Sequence, residues 1–196
     1  MKLIRLFSSD DYKGEHNYIR NQRRYEIART VIYFGISAFV FVLGIIYTKT
    51  RMNLLTLVAV LGCLPACKSL VSVIMFCRFK GCSEELYEKL KPYIDKNTGL
   101  FDMVFTSYDK NYETSHILVA DKTILGLTEN ASFDENGFKK HISARLSADG
   151  VKDEVIKIFK DTDKYIERIK NIDADSFVKE NPADDRIIRT LKAVSL

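Results

Sequence analysis

Between Thr30 and Thr48 the chain reads TVIYFGISAFVFVLGIIYT, nineteen positions without a charge. As a helix rising 1.5 Å per residue this run is about 28 Å long, the thickness of a bilayer's hydrocarbon core. A second run, Leu54 to Cys77, reads LLTLVAVLGCLPACKSLVSVIMFC and is interrupted only by Pro65 and Lys68. Only Lys49 to Asn53 separate the two. So short a connector predicts neighbouring antiparallel helices, a transmembrane hairpin with both of its outer ends on one side. The first run follows a long polar stretch and shows no short apolar region closed by small residues, so it does not read as a cleavable signal.

Charge divides along the same line. Residues 1–78 hold 11 Lys or Arg against 4 Asp or Glu, a balance of +7, whereas residues 79–196 hold 19 against 22, a balance of −3. The basic residues flank the apolar runs: Arg20, Arg23, Arg24 and Arg29 before the first, Arg78 and Lys80 after the second, against Lys49 and Arg51 between them. By the positive-inside rule both termini are expected in the cytoplasm, in a two-pass arrangement in the cell membrane. The segment Asp10 to Arg29, with Tyr12, Tyr18 and Tyr25 among its basic residues, is expected to form a helix on the membrane surface that runs into the first span. Anionic lipid attracts such residues by about 1 kcal/mol each.

Lys68 is the one ionisable side chain inside the apolar runs. Counting back from the connector sets it level with about Phe34, a turn or so inside the border, where its stem can snorkel to the headgroups. The competing reading is an ion path or a buried partner. The same count leaves Ser69 to Cys77 beyond the depth of the first span, and Pro65, which removes a backbone donor, offers a kink to redirect it. Gly35, Ser37, Ala38 and Gly44 on one run and Ala59, Gly62, Cys63 and Ala66 on the other are small enough for close helix contact, within the hairpin or between copies.

Beyond Gly81 the composition is that of a soluble α/β domain, residues 79–196. SEELYEKLKPYI predicts a helix capped by Ser83, with Glu84 and Glu85 at its positive end and Leu86, Leu90 and Ile94 on one face, ending near Lys96. Leu100 to Tyr108, Ser115 to Ala120 and Thr123 to Thr128 read as three strands in a meander, the last two joined by the turn pair Asp121 and Lys122. Phe133 to Ala148 returns to helical spacing and stops at Gly150, a left-handed cap. Glu154 to Phe159 is a fourth strand, Asp161 or Thr162 caps a helix through Ile172, and Asn181 with Pro182 starts a last one carrying Ile187, Ile188, Leu191 and Val194. The expected architecture is a four-stranded sheet with flanking helices, in the order α, β, β, β, α, β, α, α.

The sequence lacks a P-loop, a Rossmann glycine pattern, a zinc ligand set and a serine elbow. Cys63, Cys67, Cys77 and Cys82 have no metal-pair spacing, and His16, His116 and His141 are scattered, so they read as structural. The acidic balance of the domain argues against nucleic acid, which rewards basic excess.

The element order α-β-β-β-α-β and the run Glu113 to Asn130, ETSHILVADKTILGLTEN, resemble restriction-endonuclease-like domains of the nuclease-related (NERD) branch, over about residues 83–160. In that branch an acidic residue precedes a His and an apolar strand, and a second strand bears Glu-x-Lys. The resemblance implies carboxylates holding Mg²⁺ to activate water, with a Lys steadying developing charge. Glu113 and His116 fall in the first block, but Ser115 stands where the metal-binding Asp belongs. In the second block Thr128 stands for the Glu and Asn130 for the Lys, with Glu129 between. The implied site is degenerate, with Glu113, His116, Asp121 and Glu129 the residues left to act; Asp102, Asp109 and Glu84 are further acids free to meet them in space.

Three functions remain open on these residues. The leading expectation is a non-catalytic, membrane-tethered domain that binds lipid through its anchor and a protein partner or a second copy through its soluble part, with no cofactor. Arg186, Arg189 and Lys192 on the final helix are candidates for contact with the partner or with the membrane. The alternatives are a membrane-tethered nuclease, the only reading that needs Mg²⁺, and a pore or transport accessory built by hairpins oligomerising around Lys68.

Overall fold

The computed structural model describes residues 12–50, 53–94, 99–151, 153–172 and 182–196. The expected roles of Asp10, Arg51, Lys96 and Asn181 fall outside those residues. The chain divides into two compact units, one built on Ile19–Phe79 and the other on Lys80–Leu196 together with the segment ending at Tyr18.

The first unit is a helical hairpin, α1 (Tyr18–Thr48) and α2 (Leu54–Arg78). Both are long and apolar enough to cross a membrane, and only 17% of each apolar window is buried. A core helix of a soluble protein would hide most of it. Among the described residues, every exposed large hydrophobic side chain except Tyr93, Tyr108 and Val155 lies between Ile27 and Ile74. Asn53 starts α2: its side-chain oxygen accepts from the Thr56 N–H at 2.7 Å while its amide donates to Thr48 Oγ1 at 2.8 Å.

The two helices meet along a seven-residue repeat. Thr30 Oγ1 donates to Ser69 Oγ at 2.8 Å, a Cβ on Gly62 would lie 2.8 Å from Ser37 Oγ, and one on Gly44 would lie 3.0 Å from Leu55 Cβ. These pairs step by seven along each helix; on α2 buried Phe76 continues the series 55, 62, 69, and buried Ala59 and Ala66 fill the alternate positions of the same seam. That is knobs-into-holes spacing, with small residues permitting close approach. The register corrects three expectations. It sets Lys68 level with Val31, three residues nearer the polar end than the count from the connector gave. The seam keeps its spacing on both sides of Pro65, so the proline does not redirect α2. Ser69 to Cys77 is not left over, because α1 continues as one helix back to Tyr18 and runs beside it. The residues from Tyr12 to Asn17 form turns, so the helix expected from Asp10 begins only at Tyr18.

The second unit is a three-layer α/β domain. Its elements are α3 (Glu84–Leu90) with a 3₁₀ turn at Lys91–Tyr93, β1 (Gly99–Thr106), β2 (Asn111–Ala120), β3 (Thr123–Leu127), α4 (Glu135–Ala148), β4 (Val155–Phe159), α5 (Thr162–Lys170) and α6 (Pro182–Val194). The strands lie in the order β1-β2-β3-β4, antiparallel through the meander and parallel between β3 and β4. Turn residues Asp121 and Lys122 both take positive φ, 46° and 57°, which matches the right-handed twist of a two-residue hairpin. The Asp184 carboxylate accepts from both of their N–H groups, at 2.9 and 2.8 Å. Gly150, at φ 80°, lets the Val151 N–H reach back to Leu146 O and close α4.

One sheet face buries Met103, Phe105, Tyr112, Ile117, Val119 and Ile124 against α4 and α6; the other buries Phe101, Leu118, Leu125 and Leu127 against α3 and α5. Fully burying each such side chain contributes about 1.5–3 kcal/mol before chain entropy is set against it. The outer edge of β1 is covered. The Phe101 N–H donates to Gly14 O at 2.8 Å, Ser195 bridges Phe105, and the Leu196 N–H donates to Val104 O at 2.9 Å.

Candidate functional site

Side chains in a strand alternate between faces, so residues on one face are separated by even numbers. β1 breaks this rule by placing Leu100 and Met103 in the same core, and β2 breaks it with Tyr112 and Ile117. The break in alternation falls where Asp102 and Ser115 should pair; that pair is missing from the ladder, which keeps one register on both sides of it. Asp102 there adopts φ 54° while only 3% exposed. A left-handed backbone at a buried non-glycine residue is strain that surrounding contacts must hold. Such an irregularity re-aims side chains much as a bulge does.

The re-aimed groups converge on the loop joining α2 to α3. Glu113 Oε1 on β2 accepts from the N–H groups of Lys80 and Gly81 at 2.9 and 3.0 Å. Asp102 Oδ1 accepts from the Cys82 N–H at 2.6 Å. Glu129, just beyond β3, accepts from the Ser83 N–H at 3.2 Å, from Ser83 Oγ at 2.7 Å and from Ser115 Oγ at 3.1 Å. Four consecutive backbone donors, residues 80 to 83, are thus held by three carboxylates from three places in the sheet. Gly81 sits at φ 76°, and a Cβ there would lie 2.9 Å from Asp102 Oδ1. Burial pushes the Cys82 thiol up to about 12, with the negative charges of Asp102, Glu129 and Glu84 adding to the rise.

The structure thus brings Glu113 and Glu129 to one loop and leaves the other two sequence candidates elsewhere. His116 is fully buried beneath α5, its Nδ1 2.7 Å from the Tyr165 hydroxyl and its ring 4.5 Å from that of Phe101. Tyr165 donates to Leu125 O at 3.3 Å, which assigns the proton between His116 and Tyr165 to Nδ1 and leaves Nε2 without a hydrogen-bond partner. Burial lowers the imidazole to about 3 and raises the Tyr165 phenol, so both are neutral at pH 7. Asp121 lies exposed on the β2–β3 turn, with its backbone tied to Asp184. No group of three or more His, Cys, Asp or Glu side chains able to hold a metal ion occurs among the described residues.

Of the basic residues flanking the spans, Arg20, Arg24, Lys68, Arg78 and Lys80 are exposed, and Arg23 and Arg29 are half-buried. Arg29 pairs with Glu26 at 3.1 Å. Glu26 is itself 5% exposed and also accepts from Gln22 Nε2 and Ser69 Oγ, both at 3.2 Å. This polar knot at the end of the seam had no signal in the sequence beyond an i, i+3 acid and base. Asp102 and Ser115 were equally hidden, since local preference does not show where the alternation of paired strands breaks; Gly81 before a capped helix was the one local hint.

No protein-family model, curated protein or solved structure matches the chain. Fold and site together define a class: an apolar two-helix hairpin joined to an α/β domain whose own carboxylates hold the joining loop.

Proposed function

We propose that this is a membrane-anchored binding domain without catalytic activity, its hairpin spanning the cell membrane with both termini cytoplasmic and its α/β domain presenting a surface to a protein partner. The observation that carries this reading is the use of the sheet's carboxylates. In a nuclease of the resembled kind they would face a cleft and a divalent ion; here Glu113 accepts from the N–H groups of Lys80 and Gly81, and Glu129 accepts from the N–H and hydroxyl of Ser83 and from the Ser115 hydroxyl. Kinship with restriction-endonuclease-like domains in degenerate form is supported by the order α3, β1, β2, β3, α4, β4.

The test uses the full chain in a mild detergent or a nanodisc. Incubation with Mg²⁺ or Mn²⁺ and single- or double-stranded DNA or RNA is expected to give no cleavage, and chemical cross-linking in cells followed by mass spectrometry is expected to return a reproducible protein partner. Metal-dependent cleavage that disappears in a folded Glu129→Gln variant would overturn the reading. A reporter fused after Leu196 that functions only outside the cell would overturn the orientation.

A further inference from the structure

Among the described residues, one edge of the sheet is covered and the other has no strand or backbone bond against it. β1 is capped by Gly14 on one stretch and by Ser195 and Leu196 on the next, whereas β4 ends the sheet on the opposite side. The pairing with β3 fixes which way β4's backbone points. The Val155 N–H donates to Lys122 O at 3.1 Å and Phe159 O accepts from the Thr128 N–H at 3.0 Å. In a parallel ladder the residues that bond a given neighbour alternate. Val155, Lys157 and Phe159 therefore bond β3, and the N–H and C=O groups of Ile156 and Ile158 point outward along the open edge. The side chains of Ile156 and Ile158 still pack on the core shared by α4 and α6, so the strand is held from within while its outer rim is unpaired.

We propose that this rim is a peptide-binding edge: an extended segment of a partner protein adds a fifth strand along β4, bonding Ile156 and Ile158, and places an acidic side chain opposite Lys157. This rests on the binding-domain reading and names its surface. Strand addition draws affinity from main-chain hydrogen bonds and selectivity from the alternate side chains. Lys157 supplies the selectivity. It is exposed and makes no ion pair among the described residues. It also argues against a second copy paired about Lys157. The two-fold antiparallel pairing that sets Ile156 against Ile158 of its mate sets Lys157 directly against its own counterpart, and like charges opposed across a ladder are destabilising; a pairing centred on Ile156 would set Lys157 against Val155, and it is told from a partner peptide by protection that grows with protein concentration.

The experiment is residue-resolved hydrogen exchange on the full chain in detergent, with two synthetic decapeptides alternating Thr and Val around a central Glu or a central Lys. Without peptide, the amides of Ile156 and Ile158 are expected to exchange fast and those of Val155, Lys157 and Phe159 slowly. The Glu peptide is expected to slow Ile156 and Ile158 by roughly tenfold or more. Lys157→Glu, a change at an exposed side chain, is expected to weaken the Glu peptide by roughly three- to tenfold and to prefer the Lys peptide. Absence of protection at saturating peptide, or protection confined to other segments, overturns the proposal. Protection of the two amides without peptide that grows with protein concentration overturns it in favour of self-pairing. A cellular partner retained unchanged by Lys157→Glu overturns the edge while leaving the proposed function standing, whereas nuclease activity would remove that function whatever the edge does.

Discussion

At the scale of single residues, the chain holds polar groups where their neighbours leave no alternative. His116 is the clearest source of pH dependence. Its folded value of about 3 lies below the ordinary 6.5 of a free imidazole, so between those values the unfolded chain binds the extra proton. Its contribution is therefore complete above pH 6.5 and is lost as the pH falls toward 3, by up to about 1.4 kcal/mol per pH unit. Denaturant melts of wild type and His116→Asn across that window should diverge, with the steeper acid loss in wild type. Asp102 carries two burdens, a left-handed backbone and the Cys82 N–H. Asp102→Gly relieves the first and Asp102→Ala neither, so alanine is expected to cost about 1–3 kcal/mol and glycine less. Equal losses would show that the backbone there is not strained. The Cys82 thiol, buried and held protonated, is expected to react with iodoacetamide at pH 8 far more slowly than Cys77, which is exposed at the polar end of α2.

At the scale of elements, the hairpin and the sheet hold their registers differently. Between α1 and α2 the seam holds small residues and a few hydrogen bonds, the features on which helix pairing would depend in the membrane setting proposed for it, since lipid offers no hydrophobic force to drive helices together. Gly62→Leu, whose side chain would collide with Ser37, is expected to separate the helices in mid-seam; Ser69→Ala removes its hydroxyl's bonds to Thr30 and Glu26 and is expected to cost about 0.6–2 kcal/mol. A cysteine pair placed at Thr30 and Ser69, in contact in this register, should cross-link, and cross-linking of Tyr33 with Ser69 instead would refute the register. In the sheet, register follows from which residues are buried. The helices cover both faces of the strands, and Leu191 of α6 is 1% exposed in the core it shares with α4. Leu191→Ala is expected to destabilise the α/β domain by about 2–5 kcal/mol, read as a lowered melting temperature of that domain.

At the scale of the whole molecule, the division into an apolar hairpin and a soluble α/β unit follows from segregated solvent preferences. Neither half can bury what the other exposes. The carboxylates around residues 80 to 83 hold the chain just where it leaves the hairpin, which gives the sheet a structural use for acids that would otherwise suggest chemistry. If that use is the whole of it, Glu113→Gln combined with Glu129→Gln lowers the melting temperature of the domain and accelerates amide exchange at residues 80 to 83.

The sequence by itself determined the two apolar helices, the meander with its Asp121–Lys122 turn, the Ser83 and Gly150 caps, and the order of elements beyond residue 83. Each of these depends on interactions among residues a few positions apart: length of an apolar run, spacing on one face, a side chain reaching its own backbone. Only the tertiary structure decided that the helices meet every seven residues, that the alternation of β1 and β2 breaks at Asp102 and Ser115, that Glu113 and Glu129 share a loop while His116 and Asp121 do not, and that β4 rather than β1 is the edge left uncovered among the described residues. Those facts join residues tens of positions apart, and local preference is blind to a distance that exists only after the chain has folded.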